Sequence, residues 1–120
     1  MSQLAPLSTI AHGRSGDKGN HANIAIIAYT ADGFAWLQSH LTSDIVGRYF
    51  AAYEPSSVER YEAANVLGLN FVLRDILAGG ASRSLRIDTQ GKSLALALLR
   101  MPVELPEVHE SMLRATEALP

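Results

Sequence analysis

Between two apolar runs the chain reads HGRSGDKGN over residues 12–20, and this polar stretch organises the first part of the fold. The apolar runs before it (7–11) and after it (22–29) are each predicted to be β-strands. Three of the chain's nine glycines lie in the stretch, and glycine allows a positive φ and a close approach to a ligand. A hairpin needs only about two to five connecting residues. The length and charge of the stretch therefore predict a loop that forms a functional site.

Composition and charge restrict the class of protein. A chain of 120 residues is long enough for one domain with its own core. The net charge of -2 argues against a nucleic-acid partner, and the absence of cysteine excludes disulfides and thiol chemistry. The first six residues lack the features of a secretory signal, and no apolar run approaches the about 20 residues of a membrane span. We therefore expect a cytoplasmic protein without a membrane partner.

Helices and strands are predicted to alternate after the second strand. Apolar residues at helical spacing over 34–41 predict a helix, and Thr42-Ser43-Asp44 is typical of the start of another. Residues 58–63 alternate as a third strand does. Asn65 is predicted to cap a further helix that ends at Gly79-Gly80. The apolar positions of that helix are Val66, Leu69, Val72, Leu73 and Ile76, and Asn70 shares a face with Arg74.

The last third of the chain completes the predicted fold. Residues 84–88 are predicted to be a fourth strand, and residues 92–101 a helix, although their alternation also allows a strand. Leu105-Pro106-Glu107 is predicted to open a final helix. The order favours an α+β fold, in which a mostly antiparallel four-stranded sheet carries helices on one face and a C-terminal helix follows. We expect a domain over residues 1–101 and a helical extension over 102–120.

The polar stretch is predicted to cradle an anion. Successive backbone amides of a glycine-rich turn bind carboxylates or phosphates, and Arg14 and Lys18 add positive charge. The predicted ligand-binding residues are Arg14, Ser15, Gly16, Gly19, Asn20, Asn23 and Arg83. The glycine spacing differs from that of nucleotide-binding loops, so no cofactor is predicted. The alternative is a hairpin loop in which Asp17 caps backbone amides and the cations are solvated.

Two residues of the stretch are predicted to transfer protons. Asp17, with Glu62 as an alternative, would act as the base and Lys18 as the acid in chemistry beside a thioester or carboxylate. A structural network of ion pairs explains the same residues without catalysis. His12 and His21 flank the stretch, but they lack the compact spacing of metal ligands, so no metal is predicted.

The chain resembles the acyclic terpene utilisation AtuA-like proteins over roughly residues 9 to 101. The resemblance is carried by the segments 14–20, 23–28 and 79–94 and by shorter segments between them. The similarity is to the small ferredoxin-fold domain of those proteins. It implies that fold, and a place in the breakdown of branched terpenoid acids through acyl-CoA intermediates.

Two functions stay open on this basis. One is binding of a small anionic or acyl-CoA ligand as a component of a hydratase or lyase. The other is a non-catalytic assembly module for a larger AtuA-type partner, which would supply the larger domain of full-length relatives. An open sheet face is commonly covered by pairing, so a homo-oligomer, most simply a dimer, is also expected.

Overall fold

Six strands and three helices are present in the part of the chain that the computed structural model describes, residues 2–18, 21–76 and 94–114. The strands are β1 (Ser2–Pro6), β2 (Ala11–Lys18), β3 (His21–Ala28), β4 (Ser57–Ala63), β5 (Gly68–Arg74) and β6 (Pro102–Pro106). The helices are α1 (Ala31–His40), α2 (Ser43–Tyr49) and α3 (Leu94–Leu99). Short 3-10 turns occur at Leu7–Thr9, Ala51–Tyr53, Ala64–Val66 and Glu110–Met112. None of these helices is long and apolar enough to cross a membrane.

An antiparallel sheet in the order β2-β3-β5-β4 is the centre of the fold. Ile24 pairs with Phe71, and both are fully buried. Because side chains alternate between the faces of a sheet, the buried residues of β3 and β5 lie on one face. The helices pack on that face, α1 against β3 and β5, α2 against β4 and α3 against β2 and β3. The expected α+β fold, with a four-stranded antiparallel sheet and helices on one face, is confirmed.

Threonine caps and one arginine fix the helices on the sheet. The Thr30 and Thr42 hydroxyls accept hydrogen bonds from the first turns of α1 and α2, as the sequence predicts for Thr42. Arg60 on β4 donates from Nη1 to the carbonyl oxygens of Gln38, at 3.1 Å, and Leu41, at 2.9 Å. A guanidinium at a helix C-terminus satisfies carbonyls that lack a partner within the helix. Arg60 therefore attaches the end of α1 to β4.

The helix predicted after Asn65 is wrong. Residues 68–74 form β5, with Leu69, Phe71 and Leu73 buried and the residues between them half-buried. A period of two is the pattern of a strand, and β5 supplies the fourth strand of the sheet. The strand predicted at 84–88 and the glycines at 79–80 lie outside the described residues.

The helix predicted to open at Leu105 is also wrong. Residues 102–106 form β6, which pairs with β1 in a separate two-stranded antiparallel ribbon. Val103 and Leu105 are buried while the residues beside them are exposed, so tertiary packing selects a strand here. The helix predicted at 92–101 is confirmed as α3, which is the last helix in the described part of the chain. The assignment of 102–120 as a separate extension stays a prediction, although its first five residues pair with β1.

Candidate functional site

The predicted loop over residues 12–20 is mostly strand, which corrects the predicted cradle. β2 extends to Lys18, and its partner β3 begins at His21, with which Lys18 pairs. Neither Gly13 nor Gly16 has a φ in the left-handed region. An amide nest requires backbone amides that converge on one point, whereas those of a strand are directed to its neighbour. Residues 13 and 16 therefore belong to a hairpin ladder, and Gly19 and Asn20 lie outside the described residues.

The candidate site residues that the structure brings together lie on the face of the four-stranded sheet opposite the helices, which we call the open face. Strand alternation and register determine which residues lie on this face. On β2 and β3 they are His12, Arg14, Gly16, His21, Asn23, Ala25 and Ile27. On β4 and β5 they are Glu59, Tyr61, Asn70, Val72 and Arg74. No helix of the described residues packs on this face. It is therefore the surface where polar side chains of four strands are accessible together.

Small residues leave a gap at the middle of the open face. Arg14 pairs with Ala25, which pairs with Asn70, so Arg14 and Asn70 are two strands and about 10 Å apart. Alanine between them leaves room for a small group. Asn23 donates from Nδ2 to Oδ1 of Asn70 at 3.3 Å. A cavity of about 330 Å³ lies beside this pair, on the side away from Arg14; both asparagines line it, together with His21, Val72 and Arg74.

Arg74 and Glu59 neutralise each other beside the gap. Arg74 donates from Nε to Oε2 of Glu59 at 2.8 Å and from Nη2 to Oε1 at 3.1 Å, and Tyr61 donates to Oε1 at 2.7 Å. The hydrogen bonds from Arg74 and then Tyr61 lower the pKa of Glu59 to about 2, and the same pairing raises the pKa of Tyr61. Arg14 is exposed, and among the described residues its guanidinium has no ion-pair partner. Within the described part of the sheet, Arg14 is therefore a cation that can contact a ligand.

The Glu59–Arg74 pair predicts a pH dependence of stability. The pKa of Glu59 falls from 4.5 to about 2 on folding, so its contribution is complete above about pH 4.5 and is lost as the pH falls towards 2. The difference in unfolding free energy between wild type and Glu59→Gln should therefore shrink over this range. Urea unfolding at several pH values measures it. Glu54→Gln, at an exposed position away from the sheet, is the matched control, and an equal slope for both variants would contradict the prediction.

The other predicted site residues are separated from this gap. Ser15 lies on the helix side of the sheet, where its hydroxyl accepts a hydrogen bond from the Ala95 amide at 3.2 Å, in the first turn of α3. Asp17 and Lys18 are the last residues of β2, and only their backbone is described. Arg83 lies outside the described residues. The ligand-binding and catalytic roles of these residues stay predictions.

The two histidines that flank the stretch have separate contacts. The His12 ring stacks on Tyr29, with 5.4 Å between centroids, whereas Nδ1 of His21 accepts the Asp75 backbone N–H at 3.0 Å. The described residues contain no group of three or more His, Asp or Glu that suits a metal ion.

Sequence reasoning missed Glu59 and Tyr61 as part of the site and placed Asn70 and Arg74 on a helix. The signal that would have found them is the alternation of 68–74, since positions 70, 72 and 74 share a face in a strand. The contact of Asn23 with Asn70 depends on the β3–β5 register. Such a register is not visible in local sequence.

A comparison with protein families agrees with this architecture. The family model described as the AtuA ferredoxin-like domain matches residues 5–104. The match includes β2 to β5, which carry the open face, and most of β6. No curated protein and no solved structure matches the chain.

Proposed function

This chain belongs to the family of AtuA ferredoxin-like domains, and from that premise we propose that it binds a small carboxylate or acyl-CoA ligand on the open face of its sheet. The observation that carries the proposal is the position of Arg14, exposed and without an ion-pair partner in the described residues, across Ala25 from the Asn23–Asn70 pair. A cation and two amides around a gap are suited to an anionic head group.

The chemistry of the side chains gives each a role. The Arg14 guanidinium presents two parallel N–H groups to a carboxylate. Asn70 accepts from Asn23 through Oδ1, so its own Nδ2 group is directed by that contact and donates to the ligand. Ile27 and Val72 are half-buried on the same face and supply apolar contact to an aliphatic chain. A branched acyl group with an acidic or thioester end matches this distribution.

The proposal extends to chemistry at the end of β2. Asp17 and Lys18 follow Arg14 by three and four residues in the same strand. In loss of water, Asp17 would take the proton from the carbon beside the carbonyl group and Lys18 would protonate the departing hydroxyl, which leaves as water. Addition of water is the reverse: Lys18 would take a proton from the water and Asp17 would return one to the carbon. Their support is that they belong to the same strand as Arg14; in the β2 ladder the Lys18 position falls on the register face of Arg14, whereas the Asp17 position falls on the other.

Replacing Arg14 tests ligand binding. Arg14→Gln should weaken binding of a short branched carboxylate or its acyl-CoA at least tenfold, because the charge-assisted hydrogen bonds are lost. Isothermal titration with isovalerate and isovaleryl-CoA measures the effect. Arg100→Gln, an exposed position just after α3, should bind as wild type does.

Further variants locate the ligand. Asn70→Ala should also weaken binding, because it removes a donor beside the gap. Loss with Lys18→Ala, but with neither Arg14→Gln nor Asn70→Ala, would move the site to the hairpin turn. Equal affinity in wild type and all of these variants, or no binding by wild type, would overturn the proposal.

Exposure of the open face also supports the assembly function as a second candidate. Tyr61 lies on this face in the edge strand β4 and is 53% exposed, and tyrosine is enriched at protein interfaces. A second copy or a larger AtuA-type protein would cover it. Sedimentation equilibrium should then show a dimer that Tyr61→Glu dissociates, or a complex with the larger protein that the same variant abolishes. A monomer that ignores the larger protein would exclude this function.

A further inference from the structure

A cavity lined by described residues lies away from the open face. Its volume is about 510 Å³, and it forms a groove between β6 and the junction of α1 and α2. One wall carries the apolar side chains of Trp36, Leu41 and Ile45 together with the imidazole of His40, and the other is the segment 101–106. Glu104, exposed on β6, is the acidic residue of this groove. The groove therefore combines an apolar floor with one negative charge.

Among the residues that the structure describes, only one edge of β6 is paired. Leu7 donates its N–H to the carbonyl oxygen of Met101 at 2.9 Å. With the β1–β6 register, this bond means that the backbone N–H and C=O groups of residues 101, 103 and 105 point towards β1. In an antiparallel ladder the backbone groups of alternate residues point to opposite edges, so those of 102, 104 and 106 point outward. The two prolines have no N–H, and the Pro106 carbonyl is 2.7 Å from Nδ1 of His109. The outer edge therefore offers the Pro102 carbonyl and both backbone groups of Glu104.

We propose that this edge accepts an extended segment of a partner protein, with the pattern apolar–basic–apolar, as an antiparallel third strand. The central residue of the segment exchanges two hydrogen bonds with Glu104, and the residue two positions on donates to the Pro102 carbonyl. Its basic side chain lies opposite the Glu104 carboxylate, where unlike charges attract. Its apolar neighbours point to the same side as Val103 and Leu105, which is the side of Trp36 and Leu41. Strand addition of this kind derives affinity from the backbone and selectivity from alternate side chains.

A second copy of this chain fits the edge poorly. Two β6 strands related by a two-fold axis through Glu104 would place the two Glu104 carboxylates opposite each other, and like charges at such positions destabilise pairing. Proline at 102 and 106 removes the donors with which a longer β6–β6 ladder would form. The charge and the prolines therefore select a short, basic, foreign segment.

The test uses the acetylated and amidated peptide Ser-Gly-Ile-Lys-Val-Gly-Ser as the probe. Trp36 is the single tryptophan and lines the groove, so its fluorescence should change saturably on binding. The peptide with Glu in place of Lys should bind at least tenfold more weakly. In Glu104→Lys this preference should be reversed, whereas Glu107→Lys, outside the groove lining, should keep the wild-type order.

A backbone control separates strand addition from a simple apolar pocket. Methylation of the backbone nitrogen of the lysine in the peptide removes the N–H that donates to the Glu104 carbonyl, and it should abolish binding. Equal affinity for the methylated peptide would overturn the proposal and leave a groove for small apolar ligands. Absence of binding by every peptide, or a wild-type dimer that these peptides dissociate, would overturn it as well.

Discussion

Phe71→Ala should lower the free energy of unfolding by about 3–5 kcal/mol, the range for truncation of a buried phenylalanine. Phe71 is fully buried at the centre of the sheet, paired with Ile24 on one side and Arg60 on the other. Its removal leaves a cavity under helices that cannot move inward, because Arg60 holds α1 to β4. Chemical denaturation followed by circular dichroism measures the change.

Val72 supplies the matched control for Phe71. Its side chain is half-buried on the open face, so Val72→Ala should cost at most about 1 kcal/mol, the span of strand propensities. The helix predicted for this segment places Val72 on its apolar stripe and leaves Phe71 off it, so it predicts the opposite order. A larger loss for Val72→Ala than for Phe71→Ala would contradict β5.

Gly13→Ala should lower the free energy of unfolding by about 1–3 kcal/mol, the usual cost of overpacking. A Cβ atom at this position would lie 2.5 Å from the Ala25 carbonyl oxygen and 3.0 Å from Cδ1 of Ile26. The Ala25 carbonyl belongs to the backbone of β3 and has little freedom to move. Denaturation of the two proteins under identical conditions measures the difference.

Gly16 is the control within the same strand. Its added Cβ would meet only the Asn23 side-chain oxygen, at 3.4 Å, and alanine restricts the unfolded chain, which favours folding by about 0.4–1 kcal/mol. Gly16→Ala should therefore be neutral or slightly stabilising. A loop in which both glycines cradle an anion predicts that both variants fold normally and lose the ligand. Equal stability of the two variants would contradict the close approach at Gly13.

Local patterns predicted the elements whose signals lie within a few residues. The threonine before α2 caps it through its own hydroxyl, and β3 alternates between buried and half-buried residues. β5 was mistaken for a helix because Val72 is apolar on the open face. When a short strand has apolar residues on both faces, its sequence pattern also matches the apolar stripe of a helix.

Non-local contacts explain the remaining differences. Proline near the start of a segment is typical of a helix, but Pro102 and Pro106 bound a strand that exists through its pairing with β1. The sequence predicts a loop at Gly13. In the structure, glycine is required there because the β3 backbone at Ala25, twelve residues further on, leaves no room for a Cβ atom. The sequence predicts Arg14 and Asn23 as ligand-binding residues. Their common face with Asn70 required the register of three strands.

The β1–β6 ribbon has a consequence for synthesis on the ribosome. Ser2 pairs with Pro106, and at translation rates of about 5–20 residues per second β1 waits roughly 5–20 s for its partner to emerge. During this interval Leu7, which follows β1 and is fully buried in the folded protein, lacks the Met101 carbonyl to which its N–H donates. A chaperone that holds short apolar segments would therefore meet β1 before β6 is available to pair with it.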